Sequence, residues 1–159
     1  MRQRSESQPL SSGDSRRIGL IGCVKGKAGG ARAAKDLYVS TLFSGRRSYV
    51  ERSCDEWWIL SAEHGLVHPD AVLGPYDVTL KDAGRTARRA WSTRVLTAIN
   101  DRVAPVPGDV FEIHAGAEYR DFGLVDGLRS RFCVVEIPTH GMRIGQQLRF
   151  YKQAAGQRS

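Results

Sequence analysis

Cysteine is scarce in this chain, and long apolar runs are missing altogether. Cys23, Cys54 and Cys133 are the only cysteines in 159 residues, too scattered for a disulfide framework and without the paired spacing of a metal site. A reducing compartment is therefore expected, and with it a cytoplasmic location. No segment approaches the roughly 20 consecutive apolar residues of a membrane-spanning helix. Met1-Arg-Gln-Arg-Ser-Glu-Ser-Gln-Pro9 lacks the apolar centre of a signal peptide. Three familiar fingerprints are missing as well: the Gly-Lys-Ser/Thr of a P-loop, the Gly-x-Gly-x-x-Gly of a dinucleotide site and the Gly-x-Ser-x-Gly elbow of a serine hydrolase. Neither a metal nor a cofactor is expected.

What the chain does have is an excess of positive charge. Lys and Arg number 24 against 17 Asp and Glu, a formal +7, which attracts nucleic acid, nucleotides or other polyanions at long range. Part of the excess sits in residues 1–16, which carry Arg2, Arg4 and Arg16 among Ser, Gln and Gly without periodic apolar positions. They read as a flexible basic arm ahead of a single domain over 17–159.

Within that domain four apolar runs end directly in clusters of glycine and polar residues. Ile18-Gly-Leu-Ile-Gly22 runs into Cys23-Val-Lys-Gly-Lys27, and Trp57-Trp-Ile-Leu60 into Ser61-Ala-Glu-His-Gly-Leu-Val67. Val110-Phe-Glu-Ile113 runs into His114-Ala-Gly-Ala-Glu-Tyr119, and Phe132-Cys-Val-Val-Glu-Ile137 into Pro138-Thr-His-Gly-Met-Arg-Ile-Gly-Gln-Gln147. Helical periodicity separates the runs: Ala33 to Arg52, broken at Ser44-Gly45; Ala83 to Val103; Tyr119 to Leu128; and Ile144 to Ala154, with Ile144, Leu148 and Tyr151 inward. A long irregular stretch is expected from the second strand to Leu80. The βαβαβαβα order predicts one three-layer α/β domain, with a mainly parallel four-stranded sheet and helices on both faces. Parallel strands bring all four clusters to one sheet edge, where open α/β folds bind ligands.

Each cluster has chemistry to offer. Lys25 and Lys27 among glycines suit a phosphate or carboxylate, although a glycine turn with solvated lysines has the same composition. Cys23 is either a nucleophile activated by a neighbouring cation or a small packed side chain. Ser61, Glu63, His64 and Asp77 supply hydrogen bonds and a general acid or base, while Gly65 permits a sharp turn. His64 and His68 are four apart, but a Pro-containing loop would not present them as a helical metal pair. At the third strand end, His114, Glu118 or Tyr119 can reach a ligand, and Gly116 leaves room for it. Arg143 suits an anion, and Gln146 or Gln147 an amide contact to a base edge or sugar.

Several of these motifs together resemble a known family. Ile59-Leu-Ser-Ala-Glu-His-Gly-Leu-Val-His-Pro-Asp70, followed by Pro75-Tyr-Asp77, looks like a signature of YaaA-like proteins. Cys23 with its lysines, Leu37-Tyr-Val-Ser40 with Phe43, His114-Ala-Gly116 with Tyr119, and Gly141 with Ile144-Gly-Gln-Gln-Leu148 resemble the DUF6884 family over roughly residues 18 to 153. The resemblance implies an α/β domain distantly similar to uracil-DNA glycosylases. It also implies a site at Cys23, Ser61, Gly65, Pro75, Tyr76 and Asp77.

The expected function is a nucleobase- or nucleotide-handling enzyme that hydrolyses or transfers an N-glycosidic bond. Asp77 or Glu118 would stabilise the oxocarbenium-like transition state, and His114 or His64 would donate to the departing base. Tyr76 and Tyr119 would stack on that base, and Lys25, Lys27 and Arg143 would hold phosphate. The competing expectation is a non-catalytic nucleic-acid-binding protein of the YaaA-like stress-response type, using the arm and the basic helix. Covalent labelling at Cys23 or Ser61 would mark a third class, an unrelated small-molecule hydrolase.

Overall fold

The computed structural model describes residues 15–22, 30–38, 40–74 and 79–156. Its centre is a strand of small and branched apolar residues, β1 (Arg17–Gly22), whose Ile18, Leu20 and Ile21 are fully buried. Burial on both faces is what a central parallel strand requires, and it explains the near-continuous apolar run. A short β2 (Arg32–Ala33) and α1 (Ala34–Leu37) follow, then α2 (Thr41–Ser53). Ser40 starts α2 by accepting a hydrogen bond from the Phe43 backbone N–H at 3.1 Å, satisfying one of the donors every helix leaves open at its first turn. The helical break thus lies at Tyr38–Ser40 and not at Ser44-Gly45. Gly45 sits inside α2 because a Cβ there would come within 2.9 Å of Tyr151 Cβ; its role is close approach between helices.

The remaining strands are β3 (Glu56–Ser61), β4 (Gly65–Val67), β5 (Val72–Leu73), β6 (Val110–His114) and β7 (Val134–Glu136). Between them lie α3 (Arg85–Ala98), which runs on into a π-helical turn at Ile99–Val103, then α4 (Ala117–Arg120) and α5 (Leu124–Arg129). The chain's last described helix is α6 (Ile144–Gly156). The main sheet has the order β4-β3-β1-β6-β7, and β2 pairs with β5 in a separate antiparallel ribbon.

Four strands was the expected number; the main sheet has five, parallel throughout except for β4, which turns back antiparallel on β3. The additional strand comes from the stretch expected to be irregular. Ser61 pairs with Gly65 across a tight turn, and Gly65, at φ +75°, takes the left-handed conformation that glycine adopts without steric cost.

Strand order sets the site. From β1 the chain moves to β3 on one side, then crosses to β6 on the other, so the order reverses between β1 and β6. Residues of β6 alternate accordingly: Phe111 and Ile113 are buried apolar side chains, whereas Glu112 and His114 project towards α2 and α6, where Ser53 and Tyr151 meet them.

At the opposite end of the strands, Asp109 is completely buried. It accepts hydrogen bonds from the backbone N–H groups of Arg16 and Val106 and from the Arg16 guanidinium, at 2.9–3.1 Å. Burial alone would raise its pKa, but these donors outweigh that and hold the carboxyl below its usual range. Arg16 also reaches Glu56 at 3.1 Å, which ties the start of the domain to β3 and β6.

Candidate functional site

Parallel register carries β3, β1 and β6 to the same level: Gly22 lies opposite Leu60, and Ile21 opposite His114. Ser61, Gly22 and Ala115 therefore line one edge within about 10 Å, two interstrand spacings. Between β1 and β6 the two backbones are in close contact. A Cβ on Gly22 would lie 2.8 Å from that of Ala115, so glycine is required there by space. Open α/β sheets bind ligands in the crevice outside the carboxyl ends of their strands, at the point where strand order reverses. Here that point is Gly22 beside His114-Ala115-Gly116.

Beneath this edge runs a buried polar network. Glu112 is 1% exposed and His114 not exposed at all; Glu112 Oε1 lies 2.7 Å from His114 Nε2, and His114 Nδ1 lies 2.6 Å from the Tyr151 hydroxyl. Nε2 faces a carboxylate, which only accepts, so Nε2 carries the proton and Nδ1 accepts from Tyr151 O–H. Arg17 Nε and Ser53 Oγ complete the carboxylate, each at 3.0 Å. Arg17 also pairs with Glu136 on β7.

The protonation states follow from these partners. Burial pushes His114 down, and Arg46 adds to that; Glu112 works the other way but does not prevail, so the imidazole is held below its ordinary value and stays neutral. Burial would raise Glu112, yet His114, Ser53 and Arg17 bring it below the usual carboxylate range. Tyr151 is raised by burial, against the opposing hydrogen bonds from Arg46 and Thr139, and keeps its proton.

From Tyr151 the network reaches the strand edge. Arg46, buried on α2, donates through Nη1 to the Gly22 carbonyl at 3.2 Å and through Nη2 to Gln147 Oε1 at 3.3 Å. Gln147 Nε2 donates in turn to the Met142 carbonyl at 3.1 Å, so α6, the segment before it and the end of β1 are held together.

The expected site residues are distributed as follows. His114 is at the edge, but both ring nitrogens are engaged and none of its surface is exposed. Ser61 is fully buried, and its hydroxyl accepts from the His64 backbone N–H at 3.0 Å. Its carbonyl accepts from Trp91 Nε1 at 2.8 Å. The half-buried His64 side chain stands at the β3–β4 turn with Nε2 3.8 Å from Glu63 Oε2. Gly65 is covered by Arg94, which donates to the Glu63 carbonyl at 2.9 Å. Glu118 folds back over Gly116, where a Cβ would meet its Oε1 at 2.6 Å. Tyr119 is 4% exposed and packs edge-on against Trp91, ring centroids 5.2 Å apart. Arg143 has an exposed side chain, while Gln146 Oε1 accepts from the Arg143 backbone N–H at 2.8 Å, closing the first turn of α6. Cys23, Lys25, Lys27, Tyr76 and Asp77 lie outside the described residues. Cys23 is the residue that follows Gly22, so its segment departs from the crevice itself.

The basic helix is largely engaged in packing the fold. Arg88 donates to the carbonyls of Leu80 and Lys81, and Arg102 to that of Leu66. Arg88 also lies over Phe122, and Arg102 over Trp58. Arg85 and Arg89 remain on the exposed side. No cluster of metal-ligating side chains and no helix long and apolar enough to cross a membrane occurs among the described residues.

Residues that sequence reasoning missed are Glu112, Tyr151, Arg46 and Thr139. One signal was present: a carboxylate two positions before His114, inside an apolar strand, must share its face. Tyr151 and Arg46 gave none, because only the packing of α2 and α6 brings them to β6.

A mixed α/β protein with a mostly parallel sheet and a topological switch point beside its central strand is the class these features define. Within that class, the chain belongs to DUF6884, a family of unknown function, which it matches over residues 18–153. It is also similar to the uncharacterized protein YfjM of Bacillus subtilis (strain 168), with 42% identity over 72 residues, 40% of this chain and 47% of YfjM. The chain thus spans about half the length of that relative.

Proposed function

We propose that the protein is a nucleobase- or nucleotide-handling enzyme that hydrolyses or transfers an N-glycosidic bond at the carboxyl edge of β1 and β6. The observation that carries this reading is the reversal of strand order between Gly22 and His114-Ala115-Gly116, with polar and cationic side chains collected around that point. The YaaA-like signature at Ile59–Asp70 and Pro75–Asp77, and through it the likeness to uracil-DNA glycosylases, supports the same chemistry by analogy of fold.

Asp77 is the carboxylate that stabilises the oxocarbenium-like transition state, with Glu118 as the alternative. His64, whose ring is not enclosed, is the donor to the departing base. Tyr76 stacks on the base, and Lys25, Lys27 and Arg143 hold phosphate. His114 acts through Tyr151 as a positioning residue, since both its nitrogens are already bonded. A nucleic-acid-binding role draws on the same net charge, but Arg88, Arg94 and Arg102 direct their guanidinium groups to loop carbonyls. That weakens the case for α3 as a phosphate-tracking surface.

The test is release of free base from a panel of nucleosides and their 5′-monophosphates. Asp77→Asn is expected to reduce turnover by about 10²–10⁴-fold with an unchanged melting temperature. Absence of released base across the whole panel would refute the proposal.

A further inference from the structure

Arg46 is a permanently charged group, 4% exposed, at the carboxyl end of the central strand. A buried charge acts more strongly on its surroundings than one in water, because less solvent screens it. Its orientation is set from several sides. Gly22 O and Gln147 Oε1 accept from it, and the Tyr151 hydroxyl is a further acceptor. These neutral acceptors direct the guanidinium without cancelling its charge. Tyr151 can serve in that way because its own proton is directed elsewhere: the hydroxyl donates to His114 Nδ1, and the opposite ring nitrogen donates to Glu112. The carboxylate at the far end is answered by Arg17 at 3.0 Å. Proton direction is thus fixed along the relay, from the interior carboxylate to the strand edge, with the tyrosine lone pairs turned towards Arg46.

We propose that Arg46 is the specificity residue for an anionic part of the substrate, positioned by the Glu112–His114–Tyr151 relay, so that the site takes a phosphate-bearing nucleotide in preference to the neutral nucleoside. The inference rests on the N-glycosidic reading above and deepens it. Its physical content is a fixed positive field at the Gly22–Ala115 crevice, of the preorganised kind that stabilises an anion without reorganisation when it binds. Lys25 and Lys27 can add to anion affinity, but only Arg46 is coupled to Tyr151.

Calorimetric titration tests this with adenosine, guanosine, cytidine and uridine, their 5′-monophosphates, and inorganic phosphate. The wild-type protein is expected to bind at least one monophosphate about tenfold or more tightly than its nucleoside, a preference that falls with added salt. Arg46→Gln should bring the ratio close to one, and Arg46→Lys should restore part of it. Tyr151→Phe should reduce the ratio severalfold while the charge is still present, which a merely structural role would not do. If Arg46→Gln does not fold, the lysine and Tyr151 variants carry the comparison.

A ratio near one in the wild type, or one that none of these variants changes, overturns the inference. Should nucleosides then still release base, the N-glycosidic reading survives it. Conversely, phosphate binding that depends on Arg46 and Tyr151, with no gain from any base, supports the anion site and overturns the glycosidic reading. No binding by any of the probes refutes both.

Discussion

Replacing Tyr151 by Phe removes one oxygen from the centre of the buried network and leaves the ring in place. His114 Nδ1 then loses its donor in a site with no exposure, and Thr139 and Arg46 lose an acceptor. Stranding a buried polar group costs about 1–3 kcal/mol. For a chain of this size each kcal/mol corresponds to about 2–4 °C in melting temperature, so a fall of roughly 3–10 °C is expected. Tyr49 supplies the control. Its ring lies 5.0 Å from His114 and 5.8 Å from Tyr151, yet its hydroxyl has no hydrogen bond among the described residues, so Tyr49→Phe should change stability by less than about 0.5 kcal/mol. Urea and thermal unfolding of both variants at pH 7 give the comparison, and imidazole 15N shifts report whether His114 keeps its proton on Nε2. Equal stability losses in the two variants would refute the argument that the Tyr151 hydroxyl completes a directed relay.

Gly22→Ala places a methyl group 2.8 Å from the Ala115 Cβ at a point where backbone is also close; overpacking of this kind costs about 1–3 kcal/mol, measurable by urea unfolding, and a neutral result would mean the strand ends are not in contact. Acid should destabilise the protein in two stages. His114 is held below its ordinary value, so the unfolded chain takes up a proton first, and stability begins to decline as pH falls below about 6.5. Asp109 and Glu112 have depressed carboxyl values; their contribution is fully present above the ordinary carboxyl range, near pH 4, and is lost as pH falls through it. Unfolding free energies measured from pH 8 to 3 should show both declines, and a flat profile down to pH 4 would contradict the His114 assignment.

The parallel strands were readable in advance because each is an apolar run closed by glycine and polar residues, the pattern that a two-sided sheet demands. Where the reading failed, local pattern was overridden by packing. Phe132 belongs to an apolar run but is 77% exposed and has φ +63°, so β7 starts only at Val134. Residues 65–67 are too few to show alternation, and β4 exists because Ser61 and Gly65 close a hairpin on β3. Ile144 was expected inside, yet is 56% exposed; it precedes the part of α6 that packs on α2 through Tyr151 and Gly45. The short helix expected over Tyr119–Leu128 is two pieces, α4 and α5, with Gly123 at φ +125° between them. At the site, strand ends were legible as positions, whereas the hydrogen-bond assignments of Ser61, His114 and Gln146 were not. Those depend on neighbours distant in sequence or on turn geometry that residue type alone does not specify.

The central claim is that a nucleotide binds at the switch point between β1 and β6. Two-dimensional amide spectra of the isotopically labelled protein, titrated with the 5′-monophosphate that binds best, test it directly. The predicted result is a contiguous set of shifts at Gly22, Ser61–Gly65, Ala115–Glu118 and Thr139–Arg143. Shifts confined to the exposed side of α3 around Arg85 and Arg89, with the strand ends unmoved, would contradict it.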